Sequence, residues 1–253
     1  MARELIVAVG VAAFAVLVFV LGDRLRPDSW RQTGDEAAGT LVFDLIKTFF
    51  AATVAFVIII CWQQYQTARS YTVAEAKSLI DTYTAAHAMP DPEHRRIQGL
   101  VRDYTTQVVD QEWTVMDRDG HLSQQAQDTL DTLRGNVDSM RSTDPYVTNL
   151  RATALASLDR VAGARHDRAL AVGYGIPGFL YLALYFGTIL LLLSPVLSGV
   201  RVTKRSVLMI ALLGVVVGAA ILEIHNLDHP FSGGNAVPKD AFELALSRYQ
   251  QIT

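Results

Sequence analysis

Glu223, His225, Asp228 and His229 stand together where a long apolar run gives way to polar sequence. Carboxylate and imidazole ligate divalent ions, which makes the group a weak metal-site candidate, but its spacing matches none of the familiar helical ligand patterns. Polar residues at the end of an apolar helix ordinarily meet water. The stretch from Asp228 through His229, Pro230, Phe231 and Ser232 to Gly233 reads more simply as a tight capped turn with a phenylalanine anchor. A second constellation, Arg165, His166, Asp167 and Arg168, precedes another apolar stretch. Its arginines would form a headgroup-facing collar or, turned inward, concentrate anions at a pore mouth. Asp44 and Lys47 interrupt a third apolar stretch, three residues apart and so on one helical face. They would pair at a membrane boundary or line a polar path through it. Glu75 and Lys77, like the arginine constellation, would belong to a headgroup-facing collar or to a pore mouth, and Glu112 with Trp113 reads as a surface acid beside an aromatic anchor.

No Walker loop, dinucleotide glycine fingerprint, His-Glu-x-x-His or Gly-x-Ser-x-Gly occurs in the chain. No enzyme and no cofactor are expected. The single cysteine, Cys61, lies in an apolar run, excludes an intrachain disulfide or a Cys-x-x-Cys redox pair, and reads as helix packing.

The elements that must position these residues follow from composition. Of 253 residues 51% are hydrophobic and only 19% charged, and the mean hydropathy is +0.24. Charged residues make up nearer a quarter of an ordinary soluble chain, and here they avoid whole stretches, as lipid requires. A net charge of −3 offers no basic surface to nucleic acid, so no nucleic-acid partner is expected. Leu5 to Gly22 is uncharged and nearly long enough to cross a bilayer core of about 30 Å; a cleaved secretory signal is the rival reading. The second apolar segment runs from Leu41 to Trp62, the third from Ala169 to Val200, with Pro177 marking a late start or kink and Pro195 a terminus. The fourth, Ser206 to Leu222, contains Gly214 and Gly218 in the spacing that lets a neighbouring helix approach.

Orientation rests on lysine and arginine in the connections. Arg24, Arg26 and Arg31 lie in the first link and Arg201, Lys204 and Arg205 in the third, against Arg3, Lys239 and Arg248 on the other side. This places the short links in the cytoplasm and both termini and residues 63–168 outside, although Arg69, Arg165 and Arg168 dilute the bias.

Residues 63–168 carry helical periodicity throughout. Val73, Ala76, Ile80 and Tyr83 form a first stripe that should break at Met89 and Pro90. Asp91 and Pro92 supply a cap and a first-turn proline for a second helix bearing Ile97, Val101, Tyr104 and Val108, ending between Trp113 and Gly120. Ala126, Leu130, Leu133, Val137 and Met140 mark a third, and Asp144 with Pro145 opens a fourth bearing Leu150, Ala154, Leu158 and Val161. The expected fold is all-α: an integral membrane protein with four transmembrane helices and a helical extramembrane bundle between the second and third. Its regions would be 1–62 for the first two spans, 63–168 for a four-helix insert continuous with spans two and three, 169–222 for the last two spans, and 223–253 for a C-terminal tail with the turn.

These pieces, in this order, resemble the bestrophin-like family of domains of unknown function (DUF4239) over nearly the whole chain. The matching stretches are Trp62-Gln63-Gln64 with Glu75-Ala76 beyond, Met89-Pro90-Asp91-Pro92, Val108-Val109-Asp110-Gln111-Glu112-Trp113, Arg165-His166-Asp167-Arg168, Gly175-Ile176-Pro177 and, most specific, Leu227-Asp228-His229-Pro230-Phe231-Ser232-Gly233. The family-motif residues on this resemblance are Glu75, Glu112, Trp113, Pro177, Asp228, Pro230, Phe231 and Gly233. Bestrophins are pentameric anion channels with four membrane helices per subunit and a pore narrowed by apolar side chains of the second. The resemblance therefore implies Phe49, Thr53 and Phe56 as pore-lining candidates beside Asp44 and Lys47, where an apolar constriction would gate by dewetting. It also implies a cytosolic extramembrane part, opposite to the charge count. The expected function is a homo-oligomeric membrane protein that passively conducts small ions, with the lipid bilayer and further copies of itself as partners. The alternative is a membrane-anchored extracytoplasmic sensor or scaffold with a separate signalling partner; a membrane-embedded enzyme comes third.

Overall fold

The computed structural model describes residues 2–25, 36–173, 175–198, 200, 202–233 and 235–252. Arg26, Arg31 and Arg201, which carry part of the orientation argument, lie outside them. The described residues are helical with no strand: α1 Ala2–Leu25, α2 Glu36–His87, α3 Glu93–Gln107, a π turn Val108–Glu112, α4 Trp113–Asp119, α5 Gln124–Ser139, α6 Pro145–Gly173, α7 Gly178–Leu197, α8 Lys204–Leu227 and α9 Asp240–Ile252. They fall into two units, Met1–Trp62 with Ile176–Asp228, and Gln63–Gly175 with His229–Thr253.

The first unit is apolar inside and out. Val57, Cys61, Ile176, Leu180, Leu184, Ile224 and Leu227 form one buried cluster, and Ala15, Phe19, Leu192 and Ile210 another. Yet Ile6, Phe14 and Leu17 on α1, Leu182, Phe186 and Ile189 on α7, and Leu208, Leu212 and Val216 on α8 are exposed. So much outward apolar surface is stable against hydrocarbon, not water. By length and composition, three helical segments among the described residues can cross a membrane, within Phe43–His87, Pro145–Leu197 and Lys204–Leu227. Gly214 seats α8 directly on α1: a Cβ there would lie 2.7 Å from the Ala12 Cα. Thr203 and Ser206 close a reciprocal capping box at the start of α8. Pro195 sits inside α7, two residues short of its end. Proline cannot bond the Leu191 carbonyl four residues back, and the Ser194 hydroxyl takes that carbonyl instead, at 2.8 Å.

The second unit is an amphipathic helical bundle. Its core holds Leu79 and Tyr83 of α2, Val101 and Tyr104 of α3, Leu130 and Leu133 of α5, Leu158 and Val161 of α6, and Phe242 and Tyr249 of α9. The break after His87, the Asp144 cap (Oδ1 accepts the Tyr146 N–H at 2.8 Å) and the stripes on α5 and α6 are as expected. Three expectations change. Val73 is exposed, and the inward face of α2 instead includes Thr72, Glu75, Ala76, Leu79, Thr82 and Tyr83. Asp91 does not cap α3; Pro92 holds that position without a side-chain bond while Asp91 pairs with Arg95 at 2.8 Å. The segment expected as a C-terminal tail contributes α9, whose Tyr249 ring stacks on Tyr83 at 4.3 Å and whose hydroxyl lies 3.1 Å from that of Thr105.

Candidate functional site

Arg165 and Arg168 continue the apolar stripe of α6, following Ala154, Leu158 and Val161 at alternating spacings of four and three. A charge in that register must enter the core, and both do, at 3% and 0% exposure. Burying a guanidinium is costly unless it is paired and hydrogen-bonded. Arg168 meets Glu75 of α2 side-on, with Nε to Oε2 at 2.9 Å and Nη2 to Oε1 at 3.0 Å, and Nη2 also reaches Oε2 of Glu112 at 2.9 Å. Its Nη1 faces the Met116 sulfur at 3.7 Å, and its plane lies 5.7 Å from the Trp113 ring and 5.6 Å from Phe242. Arg165 donates to Glu112 (Nη1 to Oε2, 3.1 Å), to the Tyr104 hydroxyl at 3.1 Å, to Gln127 at 2.9 Å and to the Ser123 carbonyl at 2.9 Å, and its Nη2 forms an ion pair with Glu112 Oε1 at 2.8 Å.

Two acids and two bases thus balance, and neutral donors complete the shell. The Tyr104 hydroxyl donates to Glu75 at 2.5 Å, and the backbone N–H of Ser123, at the start of α5, donates to Glu112 at 3.0 Å. Burial alone would raise the Glu112 carboxyl, but Arg168 and Arg165 outweigh it and hold the group below the usual carboxylate range. Burial would likewise deprotonate Arg168; Glu75 and Glu112 more than offset this and keep it charged. Burial and then the Glu75 charge push the Tyr104 phenol well up. Chemically the cluster holds rather than reacts. Each carboxylate is occupied by guanidinium and phenol or amide donors, and the arrangement ties α2, α3, α5 and α6 to the π turn.

Both readings of Arg165 and Arg168 from sequence are therefore corrected. Neither arginine faces headgroups or an aqueous mouth, because each is enclosed within the bundle and saturated by carboxylates. Glu112 is likewise a core acid, not a surface one, and Glu75 is at 0% exposure. Trp113 is an anchor as expected: its Nε1 donates to the Val237 carbonyl at 2.7 Å, and its ring meets Phe231 and Phe242 edge-on. The turn is also as expected, with Phe231 buried, the Val237 N–H bonded to the Pro230 carbonyl at 2.7 Å, and Gly233 at φ +78°, a left-handed conformation that other residues adopt with strain.

The proposed metal group does not assemble. Among the described residues no three His, Cys, Asp or Glu side chains are placed to hold an ion. Glu223 and His225 are exposed, two residues apart and so on different sides of α8. Asp228 turns inward, accepting from the Ile176 N–H and, at 2.7 Å, from the Tyr181 hydroxyl, which secures the Pro177 start of α7.

The five residues read as pore-lining do not share a face. At about 100° per residue, Asp44 and Lys47 lie some 140–160° around α2 from Phe49. Phe49, Thr53 and Phe56 stay together, and the two phenylalanines are 77% and 58% exposed. Asp44 and Lys47 pair with one another at 3.1 Å, both exposed.

A family model described as Bestrophin-like domain matches residues 9–242. The chain belongs to the bestrophin-like family. No match was found among curated proteins. Among solved structures, two single-substitution variants of a bacterial bestrophin homolog from Klebsiella pneumoniae each give a TM-score of 0.66 at 12% and 14% identity, covering 99% of this chain and 98% of theirs. A third structure, described only as a membrane protein, gives a TM-score of 0.62 at 13% identity, with 99% of this chain and 97% of that one covered. At such identity the likeness is one of fold. This bestrophin-like chain is an all-helical, multi-pass membrane protein.

Tyr104, Ser123, Gln127 and Met116 were not anticipated as members of the buried cluster. The available signal was positional and confined to α6: Arg165 and Arg168 extend its apolar stripe, and charges inside a stripe seek partners.

Proposed function

We propose that this bestrophin-like chain is one subunit of a homo-oligomer that conducts small ions passively through the bilayer. In this reading α1, α2, α7 and α8 are the four spans. One observation carries it: Phe49 and Phe56 stand exposed on a face of α2 about 100° from the one holding the buried Val57 and Cys61. Copies of α2 arranged about a common axis would bring these rings together with Thr53 between them, an apolar constriction that closes by dewetting. The resemblance to bestrophins supports the same arrangement. Asp44 and Lys47, on the other side, pair at the boundary and take no part in the path. No catalytic step is assigned.

Flux into liposomes holding pure protein, together with particle symmetry in nanodiscs, tests this. Conductance and a ring with α2 innermost are expected; no flux across a range of ions, pH and calcium, or a monomeric or dimeric particle, refutes it. The basic-residue bias places residues 63–168 outside the cell. A reporter at residue 120 responding from the cytoplasm would reverse the orientation and leave conduction untouched.

A further inference from the structure

Residues 93–119 form one helical run in which the π turn joins α3 to α4. Tyr104 and Glu112, eight residues apart on this run, serve the same nitrogen, Nη1 of Arg165, each at 3.1 Å. On a regular α-helix two such residues would stand about 80° apart around the axis. The wider turn, which closes on the fifth residue instead of the fourth, removes most of that difference. Glu112 is consequently buried while its neighbour Gln111 is exposed. In unbroken α register Gln111 would take the inward place. The charged cluster therefore depends on one extra residue being stored between Val108 and Glu112.

The stored residue has a specific external contact. The Lys239 ammonium donates to the Val109 carbonyl, inside the π turn, at 3.0 Å. Lys239 immediately precedes α9, where Phe242 lies against the Arg168 guanidinium at 5.6 Å. The C-terminal segment thus grips both the wide turn and the cluster that the turn makes possible.

We propose that the π turn is a two-register element pinned by Lys239. With the ammonium on Val109, Glu112 reaches Arg165 and Arg168. When the C-terminal segment withdraws Lys239, the extra residue migrates along the helix, Gln111 replaces Glu112 on the inward face, and both arginines lose a carboxylate. The second register is the minor one, because it leaves buried charge uncompensated. The C-terminal segment is then the handle by which a bound partner or a covalent change loosens the bundle. The device stands on the second unit alone and does not require ion conduction.

Hydrogen exchange on the full chain in detergent tests it. Lys239→Met should speed exchange of the amides at 108–116 by about tenfold, the scale of one lost charge-assisted hydrogen bond, and Lys239→Arg should restore protection to within about twofold. Deleting exposed Asp110 puts Tyr104 and Glu112 seven apart, about 20° on a regular helix, so the cluster persists with no residue stored. In that background Lys239→Met should have no effect on exchange. Unchanged exchange in Lys239→Met, or equal acceleration with and without Asp110, overturns the proposal. Should the deletion not fold, the contrast between Met and Arg at position 239 decides alone.

Discussion

Glu75 and Arg168, ninety-three positions apart in the chain, meet side-on through two hydrogen bonds of 2.9 and 3.0 Å with neither side chain exposed. The geometry is the fork that guanidinium and carboxylate favour. Such a pair contributes little net stability over an apolar replacement, yet losing one partner is expensive.

Arg168→Met should therefore destabilise the bundle by about 3–5 kcal/mol, because Glu75 and Glu112 are left buried and short of a cation. The double variant Glu75→Met with Arg168→Met should recover part of that loss, since Glu112 keeps Arg165. Denaturant unfolding of detergent-solubilised protein measures both; simple additivity of the two single losses would contradict the pairing.

Acid should weaken the second unit. A carboxyl whose value is lowered on folding, as at Glu112, adds stability that is complete above its unfolded pKa of about 4.3 and lost as pH falls through the folded value. Stability should be flat near neutrality and decline below about pH 4. Glu112→Gln should flatten that acid limb at the cost of a lower plateau. Parallel acid limbs in the two proteins, followed by unfolding midpoints from pH 7 downward, would count against the cluster.

Gly214 and Gly187 should respond differently to alanine. At Gly214 the new methyl meets the Ala12 backbone at 2.7 Å, and α1 must move away; at Gly187 it meets the edge of the Phe50 ring at 2.6 Å, which can swing. Overpacking against backbone costs on the order of 1–3 kcal/mol, and the Gly187 variant should cost less. Thermal unfolding in detergent ranks them, and the reverse order would argue that α1 and α8 do not pack at Gly214.

Phe49→Ala and Phe56→Ala should raise ion flux while changing subunit stability by less than about 1 kcal/mol, because neither ring is packed within the subunit. Asp44→Asn should leave flux unchanged. A large stability loss from either phenylalanine variant would show that the rings pack as ordinary core.

Much of the bundle was legible because its apolar residues recur at helical spacing. Ala126, Leu130, Leu133 and Val137 on α5 and Ala154, Leu158 and Val161 on α6 are buried as their pattern requires. The pattern failed where a polar residue occupied an inward position. Glu75, Glu112, Arg165 and Arg168 look like surface residues by type; register within a stripe points inward for the two arginines, while Glu112 is turned inward by the π turn. Phe242 and Tyr249 belong to a short helix far along the chain, whose packing partners no local spacing identifies.

The amino-acid order alone determined that this protein is helical and partly lipid-embedded, because hydrophobic periodicity and uncharged length are local properties that each segment carries by itself. Tertiary structure alone decided which charges are buried, which glycine seats α8 on α1, and that the metal-like residues near Asp228 do not converge. Those are matters of distance between remote segments, and a π turn that shifts register by one residue is enough to send a carboxylate into the core.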